Sequence, residues 1–274
     1  MNSSELESAL GEVHVDLDPA AATAPPVAGQ PRAELQMWGI ALALGLAGGL
    51  LAWGAGELTY GWFQPQRSQT RVFGVPSLQT SRQSQNAANL KNAALAFTLL
   101  GCTTGLAMGF GGGVAGRTSS RGAVVGVSAM LMGGLVGAGA SAALLPLFFR
   151  GLVPDLSDLL TPILIHSVIW GAIGAIGGLA FAIGTSRARH VPDAIIGACL
   201  GAVLATVIFH CAREMFFPGS RSSEPLGASP IVRLLAMMLV SIFQALGAVW
   251  GTTQGLARHP SSDTPLTDRV VVSN

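Results

Sequence analysis

Between Gly101 and Gly113 the chain reads Gly-Cys-Thr-Thr-Gly-Leu-Ala-Met-Gly-Phe-Gly-Gly-Gly, which places Gly101, Gly105, Gly109 and Gly113 at intervals of four inside an apolar run. In water this is a poor helix, since each glycine costs about 1 kcal/mol relative to alanine. In a bilayer a lone segment satisfies its backbone only as a helix, and glycines on one stripe let a second helix approach closely. The same interval recurs at Gly45 and Gly49, Gly122 and Gly126, Gly174 and Gly178, Gly197 and Gly201, and Gly247 and Gly251. The expected fold is an all-α integral membrane protein, a bundle of about six transmembrane helices packed along these small-residue stripes.

Charge agrees with a lipid solvent. Charged residues make up 11% of the chain, against about 25% in soluble domains, and half of all residues are hydrophobic. The formal net charge is +1 and no basic face is clustered, so no nucleic-acid partner is expected. Cys102, Cys199 and Cys211 are odd in number, lack metal-type spacing and lie in or beside apolar runs, which argues against a disulfide framework.

Runs of about 20 apolar residues occur at 37–56, 92–116, 122–145, 162–184, 194–213 and 234–256, and Pro146 is expected to kink or end the third helix. Residues 1–36 hold six acidic residues, Arg32 and an Ala/Pro run; they read as a disordered tail without the basic start of a signal peptide, and the first apolar run as an uncleaved anchor. Residues 257–274 read as a second disordered tail. The loop at 57–91, rich in Ser, Gln and Arg, has too few large apolar residues for a domain and reads as a flexible extramembrane contact arm. Asp155 to Leu160 reads as a short interfacial helix capped by Asp155.

Arg117, Arg121, Arg187, Arg189 and Arg258 crowd the short connections and the start of the C-terminal tail, whereas the basic residues of the other side are spread through longer loops. By density this places both termini in the cytoplasm, with the plasma (inner) membrane as the expected location. Holding anionic lipid heads is a lesser role for the same arginines.

The even-numbered segments end alike: Gly105 and Gly109 lead to Arg117, Gly174 and Gly178 to Arg187, Gly247 and Gly251 to Arg258. The odd-numbered segments end in aromatics followed by Pro65, Pro154 and Pro218. This describes a helical hairpin of about 70 residues present as segments two and three, then four and five, with six and one as a split third copy. Three such hairpins running in the same sense predict a pseudo-threefold axis along the membrane normal.

Chemistry-bearing residues are few. No charged side chain lies deep in a span, which disfavours an ion-coupled pump. His166 and His210 sit about one turn inside neighbouring segments and Glu214 follows four residues after His210, which makes the three a candidate for a small metal or proton site. The commoner alternative places both imidazoles at headgroup depth with their polar tips in water. Gln244 has four hydrogen-bonding capacities and should face the bundle interior, where it is the best candidate for lining a solute path. Thr103, Thr104, Ser128, Ser167 and Ser241 read as ordinary interhelical glue. No catalytic constellation, phosphate loop or zinc-protease helix is present, and no cofactor is implied. The expected function is therefore a non-catalytic protein that packs with itself or other membrane proteins, among lipid. A channel or facilitator for a small uncharged solute is the alternative, and a membrane-embedded enzyme or metal site using His166 and His210 a distant third.

Overall fold

A computed structural model describes residues 30–72, 75–150, 160–217, 225–227 and 229–258. The chain divides into two units, Met1–Glu34 and Leu35–Asn274. Of the first, the part described is the start of a helix at Gln30; the bundle belongs to the second. Most of both tails, the Asp155 segment, Pro154 and Pro218 lie outside the described residues.

The protein is an integral membrane protein of the polytopic helical class. Its elements run α1 (Gln30–Thr59), β1 (Arg67–Val72), β2 (Val75–Thr80), α2 (Arg82–Ala115), α3 (Ser119–Arg150), α4 (Leu160–Gly184), a 3₁₀ turn (Ala188–His190), α5 (Val191–Phe216) and α6 (Pro230–Arg258). All six α-helices are long and apolar enough to cross a bilayer. Large apolar side chains project outward from them, such as Val124, Leu131 and Leu135 on α3 or Ile196, Leu200 and Leu204 on α5, where only lipid makes exposure inexpensive.

The helices outrun their apolar cores. α2 begins ten residues before its apolar run: Ser81 caps it by accepting a hydrogen bond from the Ser84 amide at 3.1 Å. Pro146 does not end α3, which continues to Arg150. A proline this close to a helix end removes one backbone bond where few remain, and membrane helices tolerate it. The 57–91 segment is also more ordered in design than its composition predicts. Its centre is an antiparallel hairpin, Arg67 pairing with Thr80 and Val72 with Val75. Val72 and Val75 fall on one face and Pro76 and Leu78 on the other, each among polar residues, so no alternation marks either strand. The segment is tied to α2 by the Asn92 carboxamide, which accepts from the Phe63 amide at 3.2 Å and donates to its carbonyl at 2.9 Å.

The apolar windows of α2, α4 and α6 are each 50% buried, against 33%, 28% and 44% for α1, α3 and α5. The first three therefore form the inner set. Two apolar clusters fill the bundle. One includes Phe97, Leu100, Ile169, Ile173, Phe209 and Val240, and the other Met108, Ala180, Phe181, Ala198, Ala245 and Ala248. Glycine seams bring backbones together: on α2 and α3, a Cβ placed on Gly101 would strike the Gly133 carbonyl, one on Gly105 the Ala129 carbonyl, one on Gly109 the Gly126 backbone, and one on Gly113 that of Gly122.

Candidate functional site

Each glycine named from the sequence lies in a helix–helix contact. Beyond the α2·α3 seam, a Cβ on Gly174 would come within 2.9 Å of the Ala198 carbonyl oxygen, and one on Gly178 would strike that of Ala194. Gly197 and Gly247 oppose each other across α5 and α6, where Gly201 meets Phe243 and Gly251 meets Asp193. On α1, a Cβ on Gly45 would lie 2.9 Å from the Ser241 carbonyl oxygen and one on Gly49 3.1 Å from that of Met237. Further seams were not singled out in sequence: Gly112 against Phe181, and Gly184 against Gly109, at the α2·α4 contact.

His166 and His210 meet. The Nε2 of His210 lies 3.2 Å from Nδ1 of His166, which in turn lies 2.8 Å from the Pro162 carbonyl oxygen. A carbonyl only accepts, so in the tautomer with the proton on His166 Nδ1 that N–H serves both the Pro162 carbonyl and the lone pair of His210 Nε2. Nδ1 of His166 and Nε2 of His210 face each other, so the pair offers two nitrogens to an ion and lacks a third protein ligand among the described residues. Neither ring reaches headgroup water: both are fully buried, packed edge-on or tilted against Phe97, Phe148, Trp170 and Phe209. Glu214 is exposed and does not join them, and no cluster of three or more metal-binding side chains occurs among the described residues. Trp170 Nε1 has no hydrogen-bond partner among the described residues.

Gln244 is buried, at 1% exposure, midway along α6. Its side chain points across the bundle: a Cβ on Gly177 of α4 would lie 3.7 Å from Gln244 Nε2 and 3.5 Å from Met108 Cγ of α2. Thr103 and Thr104 turn their hydroxyls back onto their own helix, bonding the Leu99 and Leu100 carbonyls at 3.0 and 2.6 Å. Ser241 does not, and Ser128 is exposed. At the polar ends Arg117, Arg121 and Arg189 are exposed, Arg121 bonds Ser186 at 3.2 Å, and Arg187 reaches the Met37 sulfur at 3.6 Å.

A clamp between α1 and α6 escaped the sequence reading. Arg233 makes a two-point contact with Glu57, Nε to Oε1 at 2.6 Å and a terminal nitrogen to Oε2 at 2.8 Å. The guanidinium also donates to the Gly227 carbonyl and lies 3.6 Å from the centre of the Tyr60 ring. Beside it the Trp53 indole donates to the Pro230 carbonyl at 3.1 Å. The partners are 176 residues apart, and nothing local in either segment signals the other.

No protein-family model, curated protein or solved structure matches the chain.

Proposed function

We propose that this chain is a non-catalytic membrane protein that acts by packing, with itself or with other membrane proteins. The observation that carries this reading is the seam geometry: along α2·α3, α4·α5 and α5·α6, glycine Cα atoms face backbone with no room for a side chain. In lipid such van der Waals contact replaces the missing hydrophobic drive between helices. The same chemistry continues on the outside of α3, where Gly139, Ala142 and Ala143 are exposed and a Cβ on Gly139 would meet nothing within 4 Å. Cysteines introduced as Ala142→Cys and Ala143→Cys, oxidised in native membranes, are expected to give a dimer or a defined adduct with another membrane protein. Only monomer at both positions, together with solute-selective flux through reconstituted vesicles, would replace this reading by the facilitator.

The architecture we infer is the three-hairpin repeat, with the six–one copy split. In support, the amides of Gly116, Arg117 and Thr118 bond the carbonyls of Gly112, Val114 and Gly113, and those of Thr185, Ser186 and Arg187 bond Phe181, Ile183 and Ala182, the same pattern 69 residues on. Arg117 and Ser186 share a positive φ, 56° and 60°. The buried positions from Phe97 to Gly113 likewise recur 69 residues on, from His166 to Ala182, and those from His166 to Phe181 recur 71 residues further, from Met237 to Thr252. This register sets Ala245, rather than Gly247, opposite Gly174 and Gly105. For sidedness, we favour the plasma (inner) membrane with both termini cytoplasmic, supported by the arginines on the α2–α3 and α4–α5 connections. Labelling of Ser119→Cys and Ser186→Cys from outside intact cells would reverse that orientation.

A further inference from the structure

Between the two apolar clusters lies a thin polar layer. On α2 the first cluster ends at Leu100 and the second begins at Met108; on α4 the corresponding limits are Ile173 and Ala180; on α6 they are Val240 and Ala245. The residues left between include Thr104, Gly177, Ser241 and Gln244. All four are buried, Ser241 and Gln244 near the middle of α6 and Thr104 and Gly177 about two-thirds of the way along α2 and α4.

Three polar atoms in this layer lack a partner among the described residues: Gln244 Oε1, Gln244 Nε2 and Ser241 Oγ. The serine is the more telling. Every other buried hydroxyl among the described residues turns back to a carbonyl of its own helix, Thr104 to Leu100, Ser141 to Gly137, Thr185 to Ala182, Thr206 to Ala202 and Thr252 to Ala248. Ser241, one turn before Gln244 on the same side of α6, forgoes that bond. Buried polar groups are satisfied by protein or by bound molecules with few exceptions, and a carboxamide with both ends open carries the full desolvation cost of each.

The carboxamide faces a stretch of α4 that carries no side chain. A Cβ on Gly177 would make ordinary contacts, 3.5 Å to Met108 Cγ and 3.7 Å to Gln244 Nε2, so its absence leaves a methyl-sized gap facing the amide. A gap no wider than a methyl group excludes a sugar or polyol and sets water as the upper limit for an occupant of the layer. No Asp, Glu, Lys or Arg is buried in the layer; the buried Arg213 and Arg233 belong to the helix ends. The occupant is therefore uncharged.

We propose that the axis of the bundle holds a mid-membrane binding site, formed by Gln244, Ser241 and the bare face of Gly177, for a water-sized, uncharged molecule that both donates and accepts hydrogen bonds. The amide offers donors on Nε2 and lone pairs on Oε1, and water matches both. The site goes beyond the packing reading and stands without it, since a bound water is compatible with a protein that transports nothing.

Proton-detected solid-state NMR on the full chain in lipid bilayers tests this directly, with glutamine side chains labelled and water as the probe. The expected result is a water-to-amide cross-peak from Gln244, assigned by its disappearance in Gln244→Leu. Gly177→Ala, which the contacts above accommodate, should abolish that cross-peak while leaving those of the exposed glutamines. A Gln244 amide with no water cross-peak in the wild-type protein overturns the proposal, as does a cross-peak unchanged in folded Gly177→Ala. The wild-type measurement decides by itself should either variant fail to fold.

Discussion

Gly105 and Gly139 offer a controlled comparison, because the same one-carbon change meets opposite surroundings in two helices of one seam. In Gly105→Ala the new Cβ would sit 2.7 Å from the carbonyl carbon of Ala129 and closer still to its oxygen, and the obstacle is backbone rather than a side chain that can swing aside. In Gly139→Ala it would meet nothing within 4 Å. Overpacking a tight contact costs about 1–3 kcal/mol, and a rigid obstacle places Gly105→Ala in the upper part of that range. Helix propensity favours alanine at both sites by at most about 1 kcal/mol, less in lipid, where unassociated segments remain helical. The two variants should thus differ by about 2–3 kcal/mol. With midpoints moving about 2–4 °C per kcal/mol for a chain of this size, that is a separation of about 4–12 °C. Thermal unfolding in one detergent, followed by circular dichroism, reads it: Gly105→Ala below wild type, Gly139→Ala at or slightly above. Equal midpoints, or Gly105→Ala above wild type, would refute the idea that backbone apposition holds α2 and α3 together.

Three other perturbations probe contacts elsewhere in the bundle. The Arg233 side chain is 7% exposed and that of Glu57 25%, so their pair lies between surface pairs worth about 0–1 kcal/mol and buried ones whose breakage costs about 3–5. Glu57→Gln should cost about 2 kcal/mol, and Glu57→Leu combined with Arg233→Met should recover most of it; strictly additive losses in that cycle would deny the coupling. Asn92→Ala removes both bonds to the Phe63 backbone and should speed hydrogen exchange at the Phe63 amide by roughly tenfold, equivalent to about 1.4 kcal/mol of local opening, with no change expected in the α3 core. His210→Ala opens a cavity among Phe209, Trp170 and His166 and should lower stability by about 2–4 kcal/mol without altering metal content. Stoichiometric metal in the wild-type protein that is lost in this variant would restore the ligand reading of the two imidazoles.

Gln244 shows how far the sequence reaches toward the site. A carboxamide in the middle of an apolar run has to face inward, and it does, but its neighbours Gly177 and Met108 stand on other helices and no local pattern names them. His166 and His210 were legible as a pair because each sits a turn inside adjoining segments. Their burial was not, since depth along a helix does not tell which way a side chain turns. Glu214 marks the same blind spot: four residues after His210, it shares that side of the helix by spacing yet is exposed. The hairpin at Arg67–Thr80 went unread because its few apolar residues are divided between the two faces.

What the sequence by itself determined is the solvent and the secondary structure. Hydropathy, charge scarcity and segment length are properties of each stretch alone, and in lipid they leave the helix as the only choice. Only the tertiary structure decided which stripe meets which: Gly105 with Ala129, Glu57 with Arg233, His166 with His210. The reason is physical. In water an amphipathic helix declares its inner face, but lipid is as apolar as a protein core, so helix rotation and register are set by shape and a few polar bonds that exist only once the helices are side by side.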